Sequence, residues 1–588
     1  VPSPYGKGPG GPILVITSAA NPFTEYYAEI LLTEGLNAFA LQDIACVSSA
    51  TLAEHQVAIL GEMPLTPEQV HMLSEWVLEG GNLIAMRPDK QLAGLLGLQD
   101  AGGAISEGYL LVDAAAGPGA GIVNQTMQFH GTADRYSLKE ARSVANLYVN
   151  ARTPTTSPAV SLRDVGSQGG QAAAFTFDLA RSVVLTRQGN PAWAGQERDG
   201  KPPLRSNDLF YGPAKFDPQP DWVDMSKVEI PQADEQQRLL ANLIIQMNSD
   251  KNLLPRFWYF PHDHKAVLIM TGDDHARKGT KDRFENELSL SPPNASLADW
   301  ETIRSSSYTY LYRAMTASEA NAYNAAGFEI GLHLDTGCAD YTRDSLDEFF
   351  TRQLKKWKAR YPDLPPPTTH RAHCIAWSGY TTMPEVEFLH GIRLDVNYYF
   401  WPSNWVANRP GLFTGSGMAM RFASAQGNVI DVYQAATQMT DESGQPYPST
   451  ADTLLDRALG PEGYYGAFVA NMHTDRAKPP EWNAIVSSAL NRGVPVITSR
   501  QLLTWLDARN SSSFESVAWG SNQLTFRIKA DANAHGLRGM VPVPSGYEVS
   551  VVKHNGNPVS YVVNVVKGIE YVVFPALTGS YEVSFNQT

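Results

Sequence analysis

The sequence is poor in three things. No apolar stretch approaches the roughly 20 residues that a membrane-crossing helix needs. Lys and Arg form no run, and the formal charge is −14. A nucleic-acid binder normally carries a basic patch, so that partner class is excluded. Cysteine occurs only at Cys46, Cys338 and Cys374. Three are too few for a disulfide scaffold, and the odd number leaves at least one outside any bond within the chain. What remains is globular in composition, with 43% hydrophobic and 18% charged residues. At 588 residues the chain exceeds a single core, and three or four domains are expected. It opens Val-Pro-Ser-Pro without Met, which reads as a trimmed start. The expectation is therefore a secreted, periplasmic or cell-surface protein whose signal peptide has been removed.

After a Gly/Pro-rich arm, Ile13–Thr17, Ala38–Leu41, Val57–Leu60 and Leu83–Met86 read as buried strands. Between them, Tyr26–Glu34 reads as a helix closed by Gly35. A second helix opens at Thr66-Pro67-Glu68, with a Thr cap, Pro at the first helical position and an acid in the first turn. Alternating strands and helices imply a parallel sheet with helices on both faces. Residues 1–105 resemble the flavodoxin-like or class I glutamine-amidotransferase-like domain found as an accessory in carbohydrate enzymes. Such amidotransferases need a Cys on a strand-to-helix turn. Here Gly61-Glu62-Met63-Pro64 follows the strand at 57–60, so the domain is expected to be non-catalytic.

From 106 to 254 short apolar runs, among them Ser182-Val183-Val184-Leu185, alternate with Gly, Pro and Ser. This reads as a β-rich accessory domain or insertion. It holds a long loop over 190–221 and a closing helix over 233–247, with Leu239, Leu240, Leu243 and Ile244 on one face. Trp193, Phe210, Tyr211 and Trp222 are candidates to stack on sugar rings, or to fill a loop-heavy core.

The segment 255–510 carries the chemistry. The apolar run Ala266–Met270 leads into Thr271-Gly272-Asp273-Asp274-His275. Neighbouring side chains on a strand point to opposite faces, so two carboxylates at a strand tip can take two tasks. Three further strand-like runs end in polar residues: Phe328–Asp335 with His333, Thr368–Cys374 with Arg371 and His373, and Gly466–Asp475 with His473. Acids and histidines at one end of successive strands describe a (β/α) barrel with its site on the C-terminal face.

On these motifs the segment resembles the polysaccharide deacetylases of the NodB-homology superfamily, around carbohydrate esterase family 4, whose fold is a distorted (β/α)7 barrel. The resemblance makes Asp273 the general base and Asp274 a metal ligand. It makes His333 a second ligand, Arg371 the group that orients the base, Asp395 the acid paired with Arg371, and His473 the catalytic acid. Two positions depart from the family: Gly337 stands where its second metal His falls, and His275 where a Gly is usual. His373 is the favoured replacement ligand, with His370, His275 and Asp335 as alternatives. Such a site implies a divalent metal ion, with Zn2+ foremost. A weaker resemblance is to divergent deacetylases of secreted galactosaminogalactan-type polymers. Cys338 and Cys374 each follow a site motif, so they are candidates for a disulfide at the rim or for thiol ligands.

The resemblance thus implies hydrolytic deacetylation of an N-acetylglucosamine or N-acetylgalactosamine polymer, releasing acetate. Trp377, Tyr380, Tyr398, Tyr399 and Trp401 are candidates for the sugar platform, although some must be core. The competing readings are an inactive carbohydrate-binding or assembly protein that keeps the barrel, and a hydrolase of a small non-sugar amide or ester. Beyond Ser511-Ser512-Ser513, alternation over 511–588 with an Asn555-Gly556 turn reads as a C-terminal β-sandwich. Tyr561, Val563 and Val565 are expected to answer Tyr547, Val549 and Val551 across that turn.

Overall fold

The computed structural model describes residues 3–214, 217–218, 220–275, 279–311, 315–475 and 480–588. The chain is a multidomain α/β protein in which one sheet curls around the candidate site and β-rich layers flank it.

The first unit is built on a nine-stranded sheet. Phe39–Asp43, Ile13–Thr17, Val57–Leu60 and Asn82–Met86 lie parallel in that spatial order. The helix Pro67–Leu78 starts as its residues dictate. Thr66 accepts from the Gln69 amide while the Gln69 side chain accepts from the Thr66 amide. Gly35 and Gly80 leave their helices at φ +76° and +110°, the left-handed region that favours glycine.

The boundary expected at 105 does not interrupt this sheet. Gly170–Phe175 docks parallel to Asn82–Met86. Thr153–Val165, Arg142–Asn150 and Tyr109–Val112 continue it antiparallel. The β-rich segment therefore extends the first sheet. Ser182–Leu185, grouped by sequence with the β-rich runs, lies inside a helix, Leu179–Gln188. Asp178 caps its start and Gly189 closes it at φ +84°. These local signals outweigh the β-branched pair Val183-Val184. The expected closing helix is present as Gln232–Met247 and is buried along nearly its whole length.

In the second unit a sheet curls through parallel strands in the order Leu394–Asp395, Thr369–Ala372, Glu329–Leu334, Ser306–Thr309, Ala266–Asp274, Gly466–Asn471 and Thr437–Thr440. An isolated parallel bridge between Tyr399 and Thr437 draws its two ends together. All nine residues of Ala266–Asp274 are buried, as befits a central parallel strand covered on both faces.

The tail forms two facing sheets, one with Gln523–Lys529, Gly579–Gln587 and Tyr547–His554, the other with Arg538–Pro542, Ile569–Pro575 and Val562–Val566. Arg256–Phe257, just before the second unit, joins the latter sheet. The Asn555-Gly556 turn is present, with φ +49° and +80°. Its hairpin is short, however, and Val562–Val566 pairs with Ile569–Pro575 in the opposite sheet. Val563 and Val565 are accordingly exposed. One hydrophobic core runs through all of these units, from Ile13 through Leu240 and Val267 to Phe585. No helix among the described residues is long and apolar enough to cross a membrane.

Candidate active site

Parallel strands end on the same side, so their C-terminal tips converge. Asp273 lies opposite Tyr308 in the neighbouring strand, and His333 lies opposite Arg371. Asp273 Oδ2 accepts from Asn471 Nδ2 at 3.0 Å. Its Oδ1 lies 3.5 Å from Arg371 Nε and 4.0 Å from His333 Nδ1. Arg371 is fully buried. Its Nη2 donates to the hydroxyls of Thr271 and Thr437, and its guanidinium sits 4.9 Å from the Tyr399 ring centroid. Burial pushes the Asp273 carboxyl up. Positive charge on His333 when that ring is protonated, the charges of Arg371 and His473, and the Asn471 bond outweigh that and hold it below the usual carboxylate range. Asp273 is thus an anion at neutral pH.

Four histidines gather beside it. The rings of His275, His333 and His373 form a triangle, with centroids 5.4, 5.1 and 5.4 Å apart, and His473 lies 5.4 Å from His275. Each ring is held by Nδ1. His333 Nδ1 faces the Arg371 carbonyl at 3.2 Å, and His275 Nδ1 faces Asp475 at 3.0 Å. His373 Nδ1 faces Asp335 at 3.2 Å, and His473 Nδ1 faces Asp441 at 2.9 Å. An acceptor at Nδ1 fixes the proton there and leaves the Nε2 lone pair for a ligand, as around metal-binding histidines. His333 Nε2 and Asp273 Oδ1 are buried and have no hydrogen-bond partner among the described residues. Burial, with His373 and His275 adding to it against the pull of Asp273, lowers the His333 pKa to about 3, so this ring is neutral. Imidazole and carboxylate are the donor types that borderline Zn2+ takes, and the three rings beside Asp273 bring such donors together.

His473 differs. Burial favours its neutral form, but the Asp441 bond and the charges of Asp273, Asp441 and Glu442 override that and raise its pKa to about 9. Asp441 also accepts from the His473 backbone N–H at 3.0 Å, so one carboxylate clamps ring and chain together.

The other expected residues fall as follows. Asp274 accepts the Thr280 hydroxyl at 2.5 Å, and that hydroxyl also meets Ser307. That bond ties the strand end to the start of the helix Gly279–Leu290, while the histidine rings gather beside Asp273. Asp395 does not pair with Arg371, because His370 and Arg371 are neighbours on one strand and point to opposite sides. Asp395 lies on the His370 side in a buried cluster with Glu387, and it accepts from the Asn397 backbone N–H at 3.0 Å. Of the expected sugar platform, Trp377, Tyr380 and Tyr399 are buried. Trp377 packs on Tyr398 and Phe422, and Tyr399 lies under Arg371. Of the five aromatics only Trp401 keeps partial exposure. Cys338 and Cys374 form a disulfide, with Cys338 Sγ 3.6 Å from His373 Nδ1, and Cys46 is free and exposed.

Sequence reasoning missed Asp441, Asp475 and Asn471. Asp441 follows directly on the strand Thr437–Thr440, so an acid at a strand end was its only available signal.

No family model matches the sequence, and no curated protein matches it. Among solved structures, one described as Agd3, a novel carbohydrate deacetylase, aligns over 98% of this chain and 99% of its own at 11% identity, with a TM-score of 0.41. A β-galactosidase from Bacillus circulans sp. alkalophilus aligns over 29% of this chain and 28% of its own at 11% identity and a TM-score of 0.24. An exo-β-1,4-mannosidase from an Opitutaceae bacterium aligns over 30% and 32% at 16% identity and a TM-score of 0.22. Likenesses this low assign no activity, and the site must be read from its own chemistry.

Proposed function

We propose that the protein is a metal-dependent hydrolase that removes acetyl groups from N-acetylated hexosamine residues of a polysaccharide, acting outside the cytoplasm. One observation carries the reading: an anionic carboxylate, Asp273, and a protonated imidazole, His473, lie beside the cluster of His275, His333 and His373. Two titratable groups whose pKa values are pushed apart mark a base and an acid.

His275, His333 and His373 would hold the cation, and Asp274 would keep the turn that carries His275 in place. When bound, the cation supplies positive charge that polarises an acyl oxygen and lowers the pKa of water. Asp273, kept ionised by Arg371, accepts the proton of the attacking water. As the C–N bond breaks, His473 gives its proton to the departing nitrogen, leaving acetate and a free amine. Trp401 at the rim is the remaining candidate to meet the sugar. The polymer, rather than a small amide, is favoured by the resemblance of its motifs.

The test is acetate release from N-acetylated glucosamine and galactosamine polymers, with bound metal measured in parallel. The expected result is a metal-loaded wild type, and an Asp273→Asn variant slower by about 10²- to 10⁴-fold, the usual contribution of a general base. A wild type without metal and no faster than the variant would point to the inactive binding protein. Acetate from small esters alone would point to a non-sugar hydrolase.

A further inference from the structure

A second cavity lies away from the histidine cluster, in the first unit. The chain enters the nine-stranded sheet at Ile13–Thr17, steps to one side for Phe39–Asp43, and returns to the other side for Val57–Leu60 and Asn82–Met86. The strand order therefore reverses between Ile13–Thr17 and Val57–Leu60. In an open α/β sheet such a reversal leaves a crevice beyond the carboxyl ends of the two strands, where small ligands bind. Those ends continue here into Ser18 and Gly61-Glu62, and the next strand continues into Arg87. Ser18, Glu62 and Arg87 all line an open cavity of about 780 Å³.

Its far wall comes from the second unit. Ala425 and Gln426 line it from the turn between Met420–Ala423 and Val429–Gln434. That turn is fixed. Tyr26 Oη donates to the Arg421 carbonyl at 2.7 Å, and Gly427, at φ +97°, packs so closely that a Cβ there would lie 2.5 Å from Phe23 N. Ligand pockets concentrate both at strand-order reversals and at junctions between units, and here the two coincide. Val429–Gln434 runs parallel to Leu394–Asp395. The turn before it therefore lies at the amino ends of the curled sheet's strands, opposite the end that gathers the histidines.

The lining residues narrow the ligand. Arg87 holds φ +37°, a left-handed conformation that residues other than glycine rarely adopt, and such strain concentrates at functional sites. Its guanidinium donates to Glu62 Oε1 at 2.9 Å and to Asp134 Oδ1 at 3.1 Å. The second oxygen of each acid is left over. Glu62 Oε2 lies 3.8 Å from Arg181 Nη2, and Asp134 Oδ2 has no hydrogen bond among the described residues. Arg181 covers the Phe23 ring at 4.4 Å and is otherwise held only at long range, 3.5 Å to Asn21 Oδ1 and 3.8 Å to Asp178. Three acids, Glu62, Asp89 and Asp134, face three cations, Arg87, Lys90 and Arg181, so the lining carries no net charge. A charged ligand gains little from such a lining. A hydroxyl both donates and accepts, and it matches a guanidinium set beside carboxylate oxygens. Pro22, Met63 and Pro64 add an apolar wall for the C–H face of a ring.

We propose that this crevice binds a neutral pyranose sugar, with Arg181 donating to its hydroxyls and Glu62 and Asp134 accepting from them. The site shares no residue with the histidine cluster, so the proposal stands whether or not the deacetylase reading holds.

The experiment is calorimetric titration of the full chain with N-acetylglucosamine, glucosamine and glucuronate, which present one ring as a neutral, a cationic and an anionic ligand. The expected result is binding of N-acetylglucosamine with a Kd of about 1 mM, the level that ~15 non-hydrogen atoms give at ordinary ligand efficiency. Both charged sugars should bind more weakly, because each would bury a charge without a partner. R181M keeps an apolar stem over Phe23 and gives up only long contacts. Its affinity for N-acetylglucosamine should fall by about tenfold or more, the worth of one hydrogen bond to a charged group. A425W, at an exposed position on the opposite wall, should block the crevice and serves if R181M fails to fold. Heat that survives unchanged in a folded variant reports binding elsewhere. Equal affinity in wild type and either folded variant would therefore overturn the proposal. So would an absence of heat up to about 20 mM N-acetylglucosamine, or equal or tighter binding of either charged sugar.

Discussion

Asp441→Asn separates the acid role of His473 from its mere presence. The Asp441 carboxylate contacts His473 Nδ1 at 2.9 Å and the His473 backbone N–H at 3.0 Å. The asparagine is nearly isosteric but has a single acceptor oxygen, so the variant removes the charge and one of the two bonds of the clamp. In the wild type the ring titrates at about 9 against an ordinary 6.5, although burial works the other way. Asp273 and Glu442 still face it in the variant, so its pKa should fall to ~7 rather than to the fully desolvated value. The working acid is the protonated ring, present below its pKa and lost as pH rises through it. At pH 8 the protonated share then drops from ~90% to ~10%, a loss of about tenfold. A bound cation would repel the imidazolium and lower both values. That term is common to both proteins, so the displacement between them survives. The assay is kcat/KM for acetate release from pH 5 to 10, whose alkaline limb reports the free enzyme's acid. The limb should move down by about one to two units, with rates near pH 6 within a few-fold of each other. An unmoved limb, or an equal loss at every pH, would refute the assignment of His473 as the acid.

Other outcomes follow from the packing. Opening the Cys338–Cys374 bond with Cys338→Ser and Cys374→Ser frees a loop with a sequence separation of 36. Loop-closure entropy puts the cost at about 3–4 kcal/mol, read as a lower urea midpoint that the reduced wild type should reproduce. Glu235 on the buried helix meets Lys567 of the C-terminal sandwich at 2.6 Å and Arg238 at 3.0 Å. Glu235→Gln leaves two buried cations short of a partner and should cost about 3–5 kcal/mol in denaturant unfolding, whereas conversion of exposed Glu54 to Gln should cost almost nothing. Dialysis against a strong chelator should abolish acetate release and lower the melting temperature, and added Zn2+ should restore both.

The strands of the curled sheet were legible because central parallel strands read as apolar runs, and their polar tips stood out against those runs. Asp273, His333, Arg371 and His473 share one cluster for that reason. What failed to read was direction. His370 and Arg371 are adjacent and both polar, so the pattern could not say which faced the site. Asp395 was therefore matched to the wrong neighbour. The aromatics at 377, 380 and 399 looked available because what covers them comes from far away in sequence. Leu204 binds the Trp377 backbone, Tyr398 and Phe422 close on the Trp377 ring, and Arg371 covers Tyr399. The boundary at 105 failed in the same way. The slot beside Asn82–Met86 is filled by Gly170–Phe175, a pairing that no local composition shift announces.

The gap at Gly337 gains a physical meaning from this geometry. Two histidines one helical turn apart need a single element to aim both. Here Gly337, at φ +73°, turns the chain away after the strand instead. The three rings that do converge sit in or just past three different strands, and a separate acceptor fixes each: Asp475 for His275, the Arg371 carbonyl for His333, and Asp335 for His373. The acceptor for His333 is the backbone of the residue whose guanidinium faces Asp273. The disulfide then ties the segment after His333 to the residue after His373, and Arg205 donates to the carbonyl of that same residue, Cys374. Alignment of the nitrogens is thus spread over covalent, backbone and side-chain restraints from three chain segments. A site assembled in this way depends on the rim being held together, so opening the Cys338–Cys374 bond is expected to loosen the histidine rings as well as to lower stability.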